Sequence, residues 1–202
     1  MPKIAAESIH EHVAHQEAAV IDAAIRLFNE HGVRNVSLAD IAAEVGLARN
    51  SLYRYFPDTA HILAAWFRIT ITPLVEQSNA IAADGSLAES RLTRWVEAQL
   101  DYLTDPDHAA MLLASNEMTS LPDDVRADLG AGHRELYGSL TRILRDSFED
   151  RTDRSPEVVT MLVAALVRSA AEQVRAGADP QTVRRELARA TSSMLPRDAT
   201  GA

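Results

Sequence analysis

The 202-residue sequence contains no cysteine and a single lysine, Lys3. Without cysteine, disulfides, thiolate nucleophiles and cysteine-ligated zinc or iron–sulfur sites are excluded. Every other basic residue is arginine, so neither a P-loop lysine nor a Schiff-base lysine exists beyond the N-terminal tail. Aromatic residues are scarce, at 5%, which leaves few large side chains to line a cavity. Long hydrophobic runs are missing as well. The best, VVTMLVAALV at 158–167, is half of the roughly 20 residues that a membrane-spanning helix needs, and Arg168 closes it. The first 15 residues are polar with no apolar run, so neither a secretory signal nor a membrane partner is expected, and the expected location is cytoplasmic.

Acid outweighs base by 29 to 20, giving a formal net charge of −9. That balance argues against a protein that coats nucleic acid or anionic lipid with its whole surface, but it leaves room for a local basic site.

The eight glycines and eight prolines fall almost entirely between segments of helical periodicity. The chain therefore reads as all-α, with about nine helices near 17–31, 37–46, 48–55, 58–83, 86–104, 106–119, 122–151, 156–176 and 180–195. Gly32 stops the first. Ser37 opens the second in a capping box with Asp40 at its third position. Pro106, Pro122, Pro156 and Pro180 stand at or near the first turn of the later helices, with Asp105, Ser155 and Asp179 as candidate caps. Pro73 falls inside the long 58–83 segment, as a bend that serves packing or as a hinge.

The stretch IDAAIRLFNEHGVRNVSLADIAAEVGLARNSLYRYF, 21–56, carries the functional signal. Leu38, Ile41, Ala42 and Val45 make one inward face, Gly46 turns the chain, and Leu47, Leu52 and Phe56 return to the same core. Two such short helices cannot bury themselves, so Ile25, Leu27 and Phe28 must cross them, giving a three-helix module with a helix-turn-helix inside it. Arg49, Asn50, Ser51, Tyr53, Arg54 and Tyr55 are then left outward, and no carboxylate lies between Glu44 and Asp58. Arginine can pair bidentately with guanine and asparagine with adenine, while serine and tyrosine hydroxyls suit phosphate oxygens. The charge is local: residues 57–202 hold 15 basic against 22 acidic groups, whereas 46–56 hold two arginines and no acid.

Ala24, Leu27, Phe28, Gly32, Ser37, Ile41, Ala42, Gly46 and the run LYRYF at 52–56 resemble the amino-terminal domain of the tetracycline-repressor (TetR) family of bacterial transcriptional regulators, over about residues 17–65. The resemblance implies a DNA-binding domain in 1–57, followed in 58–202 by a helical domain that binds a small-molecule effector and dimerises. It implies a phosphate contact from Ser37, base or phosphate contacts from Arg49, Asn50 and Ser51, and phosphate contacts from Tyr53 and Tyr55. Arg54 and Thr59 complete the candidate DNA-binding set. Two positions depart from the family: Thr59 stands where a lysine is usual, and Ala48 where a small hydroxyl residue is common. The first should make the salt dependence shallower, and the second removes a cap worth about 1 kcal/mol.

Beyond residue 65 the resemblance weakens. Trp66, Trp95, Tyr102, Met111, Met118 and Tyr137, with Asn116 as a polar neighbour, are candidates for an effector site, although their spacing fits core packing first. The 156–176 segment is apolar nearly all round, so Val158, Leu162, Ala165, Leu166 and Ser169 are candidates for an isologous dimer face, with burial inside the monomer as the alternative.

Enzymatic constellations fail on spacing. HEHVAH misses the HExxH zinc pattern by one residue, GAGHRE lacks the third glycine of a dinucleotide fingerprint, and there is no GxSxG. No enzyme activity and no cofactor are expected. The expected function is a repressor that binds a palindromic double-stranded DNA operator as a homodimer and is released by an effector. The alternative is a helical interaction protein whose helix-turn-helix has lost DNA.

Overall fold

The structure, a computed structural model, describes residues 2–108, 121–148 and 153–196, and every described regular element is helical. In chain order these are α1 (Pro2–His31), α2 (Leu38–Glu44), α3 (Arg49–Leu52), α4 (Thr59–Ala83), α5 (Ala88–Thr104), α6 (Asp123–Ser147), α7 (Pro156–Arg175) and α8 (Pro180–Ser192), with 3-10 turns at Val33–Asn35 and Pro106–His108. The helix expected at 106–119 begins as the second of these turns, and the rest of it lies outside the described residues, as do Met111, Asn116 and Met118. No described helix is long and apolar enough to cross a membrane.

Packing gathers the chain into two compact units that cut across the sequence boundary at 57/58. One comprises Met1–Ile69 with Asp107–Leu129, and the other Thr70–Pro106 with Gly130–Ala202.

In the first unit α1 packs on α2, and α2 on α3. Val20, Ala24, Ile25 and Phe28 of α1 close over Leu38, Ile41, Ala42, Leu52 and Phe56, all buried. Leu27, Val45 and Leu47, expected in this core, are only half-buried at its margin. Helix α1 is much longer than the expected 17–31. No glycine or proline interrupts residues 3–31, and alanine, glutamate and glutamine favour helix, so the absence of a start signal at 17 permits continuation. Gly32 then ends it at φ 83°, a left-handed conformation that suits a residue without Cβ.

In the second unit α5 packs against α7 and α8, and α7 against α8. Its core holds Leu92, Trp95, Val96 and Leu100 of α5, Leu136, Leu140, Ile143 and Leu144 of α6, and Val159, Val163, Val167 and Ala171 of α7. Among the described residues, most buried polar side-chain atoms there find partners, Arg91 Nε and Arg94 Nε excepted. Trp95 Nε1 donates to Ser139 Oγ at 2.9 Å, and Gln99 Nε2 to Ser78 Oγ at 3.2 Å. Arg91 Nη1 donates to Ala82 O and to Asp146 Oδ2, each at 2.9 Å. Unpaired, such groups would each cost about 1–3 kcal/mol.

Candidate nucleic-acid interface

Helix α2 is fixed at its start by the capping box that the sequence suggests. Asp40 N donates to Ser37 Oγ at 3.3 Å, and Ser37 N donates back to Asp40 Oδ2 at 2.8 Å. The Ser37 hydroxyl also donates to Asp40 Oδ2 at 2.6 Å. The hydroxyl, and after it the Ser37 amide, holds the Asp40 carboxyl below its usual range. Ser37 is thus committed to the cap, and its hydroxyl could donate to a phosphate only by turning away from Asp40.

Gly46, at φ 69°, makes the turn between α2 and α3. Leu47 N closes it onto Ala42 O at 2.8 Å. Ala48 takes the N-cap position of α3 and supplies no side-chain bond. The α-helix proper is shorter than the expected 48–55. After Leu52 the backbone tightens, with Arg54 N bonded to Ser51 O and Tyr55 N to Leu52 O, so that Tyr53, Arg54 and Tyr55 ride a turn of 3-10 character. An uncapped start followed by Pro57 accounts for so brief a helix.

The outward face survives this shortening because Leu52 and Phe56 are both buried and fix its rotation. Arg49, Asn50, Tyr53 and Arg54 are exposed, Ser51 and Tyr55 half-buried. Arg49 Nη2 donates to the Tyr53 hydroxyl at 2.9 Å, and its guanidinium carbon lies 5.5 Å from the Tyr53 ring centroid. The i,i+4 spacing already sets these two side chains next to each other, so they present one paired unit and not two independent contacts. Thr59 is half-buried as the first residue of α4. A surface of this kind offers guanidinium, amide and phenol donors with no carboxylate among them, which suits a polyanion with patterned base edges.

The other candidate residues are distributed differently. Trp66 is buried in the first unit, its ring centroid 5.3 Å from that of His108. Trp95, Tyr102 and Tyr137 belong to the second unit. Trp95 is fully buried, the half-buried Tyr102 hydroxyl lies 2.9 Å from Thr70 Oγ1, and Tyr137 stacks obliquely beside His133. Burial also pushes the Tyr102 phenol up. A cleft of about 570 Å³ in this unit is lined by Leu87, Ala88, Glu89, Ser147, Ser192, Ser193, Leu195 and Pro196, none of them an expected effector residue.

On α7, Val158, Leu162, Ala165 and Ser169 are exposed and Leu166 is half-buried, whereas Val159, Val163, Val167 and Ala171 face inward. Val158 and Met161 are each 58% exposed and Leu162 51%. The stripe stands at i, i+4, i+7, i+8 and i+11, one continuous helix face.

A glycine-turned helix pair, braced by a third helix and presenting arginine, asparagine and tyrosine, defines a helix-turn-helix protein. Residues 20–66 match the family model for bacterial regulatory proteins of the tetR family. The chain is 31% identical over 142 residues to the HTH-type transcriptional regulator BetI of Agrobacterium fabrum (strain C58 / ATCC 33970), which aligns 69% of this chain with 66% of that protein. It thus spans just under two thirds of that relative's length. A transcriptional regulator from Saccharomonospora viridis in complex with choline shares the fold at a TM-score of 0.75 and 22% identity, over 91% of this chain and all of that one. The transcriptional regulator FadR of Bacillus subtilis, in complex with stearoyl-CoA, does so at 0.73 and 16%, over 89% and 99%. Residues 20–66 thus carry the sequence signature of the tetR family of bacterial regulatory proteins, and the chain is similar beyond them to an HTH-type transcriptional regulator.

Proposed function

We propose that this protein is a transcriptional repressor that binds a palindromic DNA operator as a homodimer and leaves it when a small molecule occupies the 58–202 region. The observation that carries this reading is the exposed, carboxylate-free face of Arg49, Asn50, Tyr53 and Arg54 on a helix-turn-helix whose rotation is fixed by buried Leu52 and Phe56. Arg49 and Asn50 would read base edges, while the hydroxyls of Tyr53, Tyr55 and Ser51, and that of Ser37 once turned from Asp40, would donate to the phosphate backbone.

Two-fold operators need two readers, one helical turn (about 34–36 Å) apart. The apolar stripe of α7 supports a second copy of this chain as its cover, because exposed Val158, Met161 and Leu162 on one face leave apolar area in water. An effector that fits one arrangement of the body better than another would change the spacing of the readers. A fold that holds choline in one protein and stearoyl-CoA in another supports such a ligand here. No cofactor and no membrane enter the scheme.

The test is a mobility-shift titration of the full chain against DNA flanking its own gene, with sedimentation run in parallel. A retarded complex that is lost with Arg49→Ala while the dimer persists is the expected result. A folded dimer that retards no DNA even at low salt would sink the reading in favour of a protein-docking helix-turn-helix.

A further inference from the structure

Just beyond the recognition segment, His61 sits one turn into α4 with a carboxylate at each ring nitrogen. Nδ1 is 2.8 Å from Asp58 Oδ1, and Nε2 is 3.0 Å from Asp124 Oδ2. A neutral imidazole has one N–H and one lone pair, so it can donate to only one of two carboxylates and must turn a lone pair on the other. Favourable contact on both sides requires both nitrogens to carry protons.

Each carboxylate also belongs to a helix start. Asp58 Oδ1 accepts the backbone N–H of His61 at 3.0 Å and so caps the first turn of α4. Asp124, in the first turn of α6, accepts the N–H of Val125 at 2.9 Å. The ring therefore joins the first turn of α4 to the first turn of α6, across 63 residues of sequence and within one compact unit. Asp58 follows buried Phe56 by two residues, so whatever restrains it also restrains the end of the recognition segment.

Among the described residues, Asp58 and Asp124 are the two charged groups acting on the ring. Neighbouring Asp123 is engaged by Arg126, which also donates to Leu121 O. In the 3-10 turn, His108 packs on Trp66 of α4, more than a turn further along from His61. The Asp58 hydrogen bond, with help from Asp124, raises the His61 pKa against a smaller opposing effect of burial, and in return His61 holds the Asp124 carboxyl down.

We propose that Asp58, His61 and Asp124 form a proton-operated clasp between the starts of α4 and α6, and that loss of a ring proton as pH rises loosens the recognition segment and weakens operator binding. The DNA half of this inference rests on the function proposed above, and the clasp itself does not. The sign follows from linkage. A folded-state pKa above the unfolded value of about 6.5 makes the clasp's contribution complete below that pH, and the contribution is lost as pH rises through the folded value.

The experiment is a histidine-ring NMR titration of the full chain, from about pH 5.5 to 9, alongside operator binding over the same range, for the wild type, Asp124→Asn and His61→Gln. Asp124 is 70% exposed in its side chain, so the first variant disturbs no core. In the wild type, both His61 nitrogens should stay protonated above the ordinary histidine midpoint, and Asp124→Asn should bring that midpoint down. Wild-type affinity should fall at least severalfold across the titration, whereas both variants should show a flattened profile close to the wild type's alkaline limb. A His61 midpoint at or below the ordinary value, or one that Asp124→Asn leaves unmoved, overturns the clasp whatever DNA does. A clasp that titrates as expected while all three proteins keep one pH profile for DNA overturns its coupling to recognition. A normal titration with no operator binding at any pH overturns the proposed function and leaves the proton-operated clasp supported.

Discussion

Two surfaces of this protein are exposed for opposite reasons. The face of α3 and the turn after it consists of arginine, asparagine and tyrosine on a helix of four residues, held from behind by Leu52 and Phe56. The outer stripe of α7 is valine, methionine, leucine and alanine on a helix of 20, held by Val159, Val163, Val167 and Ala171. Polar groups at the first surface are already hydrated and lose little by waiting, so a partner must offer compensating charge and its binding will depend on salt. Apolar area at the second is unfavourable in water at roughly 25 cal/mol per Å², so covering it is favourable by itself and nearly independent of salt. Exposure alone thus says little, and under the proposed function the chemistry of the exposed atoms would separate a reversible reader from a standing interface.

The sharpest way to break this contrast is to put a charge into the apolar stripe. Leu162→Arg would bury an unpaired cation in a self-complementary contact, at several kcal/mol. Dimer dissociation by sedimentation should rise on the order of 100-fold or more, while helical content of the monomer is retained. An unchanged dimer would place the interface elsewhere. Next in size is Arg49→Ala, expected to cost about 1–3 kcal/mol per half-site by mobility shift with no change in sedimentation. If it lowers thermal stability instead, Arg49 is bracing Tyr53 more than reading DNA.

Ser37→Ala removes the cap of α2 and should cost about 1 kcal/mol of thermal stability. It should also alter acid sensitivity. Asp40 has a depressed folded pKa caused first by the Ser37 hydroxyl, so its contribution is present above the unfolded carboxylate value and lost as pH falls through the lower folded one. The variant keeps the Ser37 amide but loses the hydroxyl, so it should show a smaller acid-side loss, as read by melting temperature against pH. The smallest change expected is that of Thr59→Lys. One more phosphate contact per subunit should steepen the plot of log affinity against log salt by about 0.9 for each. An unaltered slope would mean that the start of α4 lies away from the backbone of DNA.

What could be read in advance was local. Ser37, Ser155 and Asp179 cap α2, α7 and α8, each accepting the expected backbone N–H, because a cap is a relation between residues three apart. The exposed stripe of α7 was legible from its periodicity for the same reason. Failures came where signals were absent or distant. Helix α1 runs to Pro2 because nothing stops it, and α3 ends at Leu52 because an uncapped turn beside Pro57 cannot sustain the full pattern. The bond from His61 to Asp124 spans 63 positions. Periodicity has no reach at that distance, although the pairing of Asp58 with His61 three residues later was available. Effector residues were least legible: Trp95 has the size and spacing of a cavity wall, and in the fold it is a core side chain with Ser139 as its partner.

The two tryptophans have a consequence of another kind. Trp66 is buried in the first compact unit against the imidazole of His108, and Trp95 in the second with its indole N–H on Ser139. Each unit therefore carries one tryptophan. Trp66→Phe and Trp95→Phe should yield a matched pair of optical reporters, one blind to each half of the molecule. Because the native chain has no thiol, a single introduced cysteine would give either reporter a uniquely placed acceptor dye, and the melting of each half could be followed in its own colour.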